Sequence, residues 1–373
     1  MAASADGPKA DPAAGAAPPH RRRARWLGLP ILGLGVLVLL VVSPLIGPVP
    51  IDPKIALEIV LHHATGGYLF PDPCAGSGVS IGLCSAFDEI VWQARLPEVL
   101  LAVLAGSALG LAGGTLQGIF RNPLADPFLL GISSGGTLGA ATVLIFHVGE
   151  AEASLFLPLF AFFGASATGL VLLLVARGRF GSVETLLLTG VALANLLSAF
   201  LALFLLYNPI ESQQVDFWLL GGLGEASWTG DGVAFGVILV AGVFLALMGR
   251  ELNLLQLGTD VAQTAGVDAR RVRVRLLMLA SLVTAVAVAF TGIIGFVGLV
   301  SPHVIRRLAG SDYRIVLPGA AAAGALFLLG ARDLSLLAFP SSVLPLGLFT
   351  AFAGAPFFLY LLYRQRTATT MGS

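Results

Sequence analysis

The chain has 373 residues, 57% of them hydrophobic and only 11% charged, and its 21 basic and 21 acidic side chains cancel. Soluble domains carry about 25% charged residues. A mean hydropathy of +0.91 therefore excludes an ordinary soluble domain and points to an all-α polytopic membrane protein. No nucleic-acid partner is expected.

Met1 to His20 is rich in Ala, Pro and Gly, which predicts a disordered tail over 1–25. Arg21, Arg22, Arg23 and Arg25 precede the first apolar run, Leu27 to Val42. No small-residue cleavage site follows, so this run is read as a retained span rather than a signal peptide. About ten spans follow from the apolar runs: 27–47, 96–118, 129–147, 155–176, 184–207, 231–249, 274–291, 293–309, 316–337 and 343–363. They form one transmembrane unit over 26–366, with a short tail at 367–373. An even count puts both termini on one side. With the termini inside, 18 of the 21 Lys and Arg fall in inner segments, and only Lys54, Arg95 and Arg332 fall outside. That asymmetry is the positive-inside pattern, and it predicts cytoplasmic termini in a cytoplasmic (inner) membrane.

The outer loop 51–94 holds the only two cysteines, Cys74 and Cys84, which predicts a loop-closing disulfide in an oxidising compartment. A metal-ligating role for that pair would need a third ligand, and none is evident nearby. His62 and His63 are adjacent, so on a helix their side chains diverge, which disfavours a joint metal site. No cofactor or resident metal is expected.

Gly106, Gly110, Gly114 and Gly118 recur at i, i+4 spacing, as do Gly131, Gly135 and Gly139. Such stripes let helix backbones approach closely inside a membrane. Between them, Arg121-Asn122-Pro123-Leu124-Ala125-Asp126-Pro127 reads as a rigid turn, because each proline disfavours helix at the residue before it. After the fifth span, Pro209 ends the helix and the next stretch can form a short half-helix that stops at Gly221-Gly222. A broken helix at membrane depth is tolerated only where protein or a watery cavity covers its backbone. Gln213, Gln214 and Trp218 are therefore candidate pathway residues, although a lone Trp also suits an interface anchor.

A polar island, Arg250 to Arg275, interrupts the apolar sequence with five basic and three acidic residues. It carries a short helix pattern: Thr259 as N-cap, Asp260 in the first turn, then Val261, Ala262 and Ala265, with Gly266 as a stop. Asp268 caps the next helix. So short a helix is marginal alone, which suggests that a partner holds it.

The spans hold almost no ionisable side chains, whereas ion-coupled carriers place acids or histidines mid-membrane. His303 is the most internal and is read as a packing residue. The chain also lacks a G-x-x-x-x-G-K-[ST] phosphate loop, and its only lysines are Lys9 and Lys54. It is therefore not read as an enzyme. If it pumps, energy arrives through a partner, and the island is the natural contact.

Several segments carry a family resemblance. They are Trp92-Gln93-Ala94-Arg95-Leu96-Pro97, Gln117 to Pro127, Leu130-Gly131-Ile132-Ser133-Ser134-Gly135, and Thr189-Gly190-Val191-Ala192-Leu193. Further on come Phe217-Trp218-Leu219-Leu220-Gly221, Ile294 to His303 and Gly354-Ala355-Pro356-Phe357-Phe358. Together they resemble the FecCD family of ABC-transporter permeases, which includes vitamin B12, haem and ferric-siderophore importers. The resemblance implies a type II importer architecture of ten helices per subunit and a homodimer. It also implies two cytoplasmic ATPase subunits and an extracytoplasmic substrate-binding protein.

By that resemblance Leu257, Gly258, Thr259, Asp260, Val261, Ala262, Ala265, Gly266, Val267 and Asp268 match the coupling loop that meets the ATPase. Arg95 matches an arginine that meets the binding protein, with Glu98 where a second arginine is frequent. Asn122, Leu124, Ser182 and Val183 match the cytoplasmic gate. The function expected is the permease subunit of an ATP-driven importer of a bulky metal chelate, with ferric siderophore favoured and haem or cobalamin close. The alternative is an ion-coupled secondary transporter.

Overall fold

Apolar runs in this chain fold as helices because a bilayer offers no hydrogen-bond partners to an open backbone. In the computed structural model, residues 19–68, 70, 81–149, 153–177, 183–339 and 344–370 are described, and no strand occurs among them. The helices are α1 (Pro19–Val42), α2 (Pro53–Ala64), α3 (Ile81–Asp88), α4 (Leu96–Phe120), α5 (Ile132–Phe146), α6 (Ala153–Arg177), α7 (Val183–Tyr207) and α8 (Ser212–Leu219). They continue with α9 (Trp228–Leu247), α10 (Gly249–Leu257), α11 (Thr259–Thr264), α12 (Ala269–Thr291), α13 (Val297–Ala309), α14 (Tyr313–Ala338) and α15 (Leu346–Thr370). A π-helical stretch, Glu89–Arg95, joins α3 to α4 without a break, and the Leu96 N–H reaches back to the Val91 carbonyl.

Each expected span contains a helix, but the ten are not equivalent. Seven described helices are long and apolar enough to cross a membrane, and two more apolar stretches, Ile132–Phe146 and Leu346–Tyr360, are shorter. The eighth expected span is only the 13-residue α13. Helix α1 begins at Pro19, ahead of the expected boundary at residue 26, because proline suits a first helical turn and arginine propagates a helix well. Helix α15 likewise runs on to Thr370. The described parts of 51–94 are also more ordered than a loop: Asp52 caps α2 by accepting the Lys54 N–H, and α3 and the π-helical stretch run on from Ile81.

Helix α4 is the centre of the bundle and packs against α14, α12, α13 and α9. Its glycines permit this. A methyl group added at Gly106 would overlap the carbonyl of Gly324, and one at Gly110 would overlap that of Ala320. The second stripe works the same way between α5 and α6, where Gly135 and Gly139 face the carbonyls of Gly164 and Phe160. Both stripes are thus packing faces, as their spacing predicts. In contrast, α1 and α7 lie at the periphery, with only 11% of their apolar windows buried within the chain.

Gly110→Val should cost at least about 1–3 kcal/mol from overpacking and lower the melting midpoint in detergent. Gly236→Val is the control, since nothing lies within 4 Å of a Cβ there. Equal midpoints for the two variants would contradict the close α4–α14 approach.

Candidate functional site

The polar residues gather at the two ends of the bundle. One end brings together the 121–127 turn, α10, α11 and the start of α14. Arg121 donates to the Leu255 carbonyl, Gln256 donates to the Gly118 carbonyl at 2.6 Å, and Asn253 donates to Asp312 at 2.7 Å. The Asn253 side-chain oxygen also accepts the Tyr313 N–H at 2.9 Å. These bonds fasten the Arg250–Arg275 island to the end of α4 and to the start of α14.

Within the island, α11 is bounded as follows. Gly258, with φ +126°, precedes the helix, and no side chain caps it. Thr259 is the first helical residue, so the expected threonine cap is corrected: a glycine turn takes that place. Asp260 lies in the first turn. At the exit, Gly266 has φ +79°, its N–H reaches the Gln263 carbonyl, and the Val267 N–H reaches that of Ala262. That paired closure is a Schellman motif and favours glycine at the left-handed position. Asp268 then accepts the N–H groups of Arg270 and Arg271 and pairs with the Arg271 side chain at 3.0 Å. Ala262 is fully buried against the bundle, while Leu257 is 67% and Val261 44% exposed. Ala265 is exposed as well. The short helix is therefore clamped on one side and presents an apolar side chain on the other.

The turn residues are rigid. Asn122 accepts the Leu124 N–H at 2.9 Å, and both residues are exposed. Asp126 accepts the Phe128 N–H at 2.8 Å, and burial pushes its carboxyl up to about 6. Val183 opens α7, while Ser182 lies outside the described residues.

The opposite end holds a buried charge network. Arg332 is 4% exposed; it bonds Glu98 and Asp333, each at 3.0 Å, and the Ser43 carbonyl at 3.2 Å. Ser43 in turn donates to Asp333. Arg95 is 3% exposed and donates to the carbonyls of Pro44 and Val49. Arg95 thus holds the chain that leaves α1, and Glu98, with its side chain 35% exposed, is held by Arg332. Sequence reasoning missed Asp333 and Ser43, which meet each other across 290 positions of the chain.

Near this network, His63 stacks on Trp92 with centroids 4.3 Å apart and meets Asp88 at 2.9 Å. Trp92 contacts Trp228, whose indole N–H donates to the Trp92 carbonyl at 3.0 Å. His62 turns away and meets the Phe70 carbonyl at 2.9 Å, so each ring has its own partner. Cys84 is buried and disulfide-bonded; Cys74, the chain's other cysteine, lies outside the described residues.

The broken helix is present. Helix α7 stops at Tyr207, α8 spans Ser212–Leu219, and Gly221 has φ +69°. Gln213 and Gln214 are exposed. Trp218 packs against the cluster of Ala140, Val143, Leu157, Ala161 and Ala289. The partly buried indole thus packs α8 onto the bundle.

Removing one partner of a buried ion pair strands the other charge and costs about 3–5 kcal/mol. Arg332→Gln should therefore lower the melting midpoint sharply, whereas Lys54→Gln, at an exposed pair, should leave it unchanged. The raised Asp126 carboxyl gives a pH signature. A folded-state value above the unfolded one means that the folded chain holds the proton more tightly, so stability falls as pH rises from about 4 to about 6. Asp126→Asn should keep the turn and lose that slope in melting curves.

With this geometry in hand, comparison with known proteins places the chain. The profile of the FecCD transport family matches residues 35–364. The hemin transport system permease protein of Yersinia pestis is 42% identical over 280 residues, covering 74% of this chain and 84% of that one. A cobalamin import system permease protein of Halobacterium salinarum is 34% identical over 355 residues, covering 88% and 94%. A solved structure described as an inward-facing conformation of a putative metal-chelate type ABC transporter matches with a TM-score of 0.75 and 28% identity, over 90% of this chain and 98% of that one. The chain is a multi-pass helical membrane protein that belongs to the FecCD transport family of ABC-transporter permeases.

Proposed function

We propose that this chain is the membrane subunit of an ATP-driven importer of bulky metal chelates, working as a homodimer with two cytoplasmic ATPase subunits and an outer binding protein. The observation that carries this reading is α11: a six-residue helix with Ala262 buried against the bundle and Val261 uncovered, as is Leu257 just ahead of it. Such an element transmits a push without absorbing it. Closure of the ATPase dimer would move α11, and the bonds from Arg121, Asn253 and Gln256 would pass that motion to α4 and α14.

The end with the Arg332 network faces outward in this reading, in accord with the charge asymmetry of the sequence. Because Arg95 and Arg332 are turned inward, the exposed charges there are mostly acids, among them Asp52, Glu89 and Asp216. The binding protein would meet those acids rather than arginines. The Cys74–Cys84 bridge would then lie on the oxidising side. Helix α7, barely covered within the chain, supplies a face for the second subunit and, with α8, the pathway wall where Gln213 and Gln214 stand; Asn122, Leu124, Ser182 and Val183 would form its inner gate. Among chelates, haem stands first because the hemin permease shares 42% identity over 280 residues. Ferric siderophore and cobalamin belong to the same class of cargo.

Reconstitution with the ATPase and binding protein tests the reading. Uptake of haem into proteoliposomes should require ATP, and Val261→Glu should reduce it at least about tenfold and weaken ATPase co-purification while leaving the melting midpoint intact. Uptake driven by a proton gradient without the ATPase would instead support an ion-coupled carrier. Mass spectrometry after alkylation without reductant should find Cys74 and Cys84 blocked; two alkylated thiols would remove the bridge.

A further inference from the structure

Beside the coupling island lies a cavity of about 480 Å³, lined by Gln117, Arg121, Asn253, Gln256, Arg306 and Tyr313, with Pro123, Leu257 and Ser311 at its margins. Ligand pockets run from about 300 to 1,000 Å³, so the space suits a whole small ligand rather than a single intruding side chain.

The chemistry of the walls is one-sided. Two arginines line the cavity and no carboxylate does. Neither Arg121 nor Arg306 takes part in an ion pair among the described residues. Arg306 donates to the Gln117 side-chain oxygen, and its other terminal nitrogen, Nη1, is buried without a partner. Asp312 sits between Ser311 and Tyr313, but its Oδ1 is engaged by Asn253 and by the Arg314 N–H. The amide nitrogens of Gln117 and Gln256 are committed to backbone carbonyls. Arg273, half-buried nearby, has an unpartnered Nε of its own. A partly buried positive charge without a counter-charge is costly. Arginine forks together with hydroxyl donors match phosphate oxygens in particular.

We propose that this cavity is a binding site for a phosphate-bearing anion, either soluble phosphate or the headgroup of an anionic phospholipid. The bound anion would tie α4, α10 and the α13–α14 turn together at the end of α10 that leads into α11. Occupancy would thus stiffen the joint between the island and the bundle. The proposal goes beyond the importer reading and does not depend on it.

The test uses the purified full-length chain. In detergent, inorganic phosphate is titrated against chloride at matched ionic strength while the melting midpoint is followed. In a second arm the chain is placed in nanodiscs of phosphatidylglycerol or of phosphatidylcholine. Two variants accompany the wild type: Arg306→Gln, which removes the uncompensated charge, and Ser311→Glu, which adds a competing anion at the exposed margin.

A midpoint rise with phosphate, weakened at least about tenfold in apparent affinity by both variants, supports the site with a soluble occupant. A rise confined to phosphatidylglycerol and lost in both variants supports it with a lipid occupant. No response in either arm overturns the proposal, as does a response that both variants retain. If Arg306→Gln fails to fold, Ser311→Glu decides alone. If phosphate and lipid have no effect and Ser311→Glu instead releases a copurifying ATPase, the cavity is a socket for that subunit, and the proposal is likewise overturned.

Discussion

The close approach of α4 to its neighbours constrains nearly everything else in this molecule. A bilayer gives apolar side chains no reason to prefer one another over lipid, so helices must gain their association from contact between backbones. Gly106, Gly110 and Gly324 supply that contact between α4 and α14, and Gly113 meets Gly298 of α13 in the same way. Because α4 is pinned along its length, its two ends become fixed points. One end carries the Asn122 turn and receives Gln256 and Arg121. The other begins in the π-helical stretch that places Arg95 and Glu98 inside the structure rather than on it.

The two ends differ in how they use charge. At the Arg332 end, Arg332 pairs with two acids and Arg95 bonds two backbone carbonyls, and the network joins the end of α1, the start of α4 and the end of α14. Such a knot stabilises little relative to an apolar core, yet it is costly to break. At the other end, Arg121 and Arg306 take part in no ion pair among the described residues, while Arg271 pairs with Asp268. Both ends keep arginine nitrogens buried without a partner, Arg95 Nε and Arg332 Nε at one and Arg306 Nη1 and Arg273 Nε at the other.

Much of the architecture was legible in the sequence, because helix formation in a bilayer depends on local composition. The glycine stripes, the Asn-Pro and Asp-Pro turn, the break after Pro209, the Gly266 exit and the Asp268 cap are all short-range features, and the structure contains each of them. What the sequence did not reveal shares one cause. Arg95, Glu98 and Arg332 have partners up to 289 residues away, and an isolated arginine in a sequence does not reveal whether it faces a protein, a carbonyl or water. The packing of the Trp218 indole was hidden for the same reason, since the cluster it meets comes from other helices. The Thr259 cap failed locally instead: Gly258 before it adopts a backbone that a capped threonine entry would not need.

The central claim is that α11 receives mechanical work from an ATPase subunit through its uncovered face. A photo-cross-linking residue placed at Val261 measures that contact directly in membranes containing the assembled complex. The account predicts a covalent adduct between this chain and the ATPase subunit, and none from the same probe at Ala262, which is buried. Adducts to lipid alone from the Val261 position, in membranes where the ATPase is present and active, would contradict it.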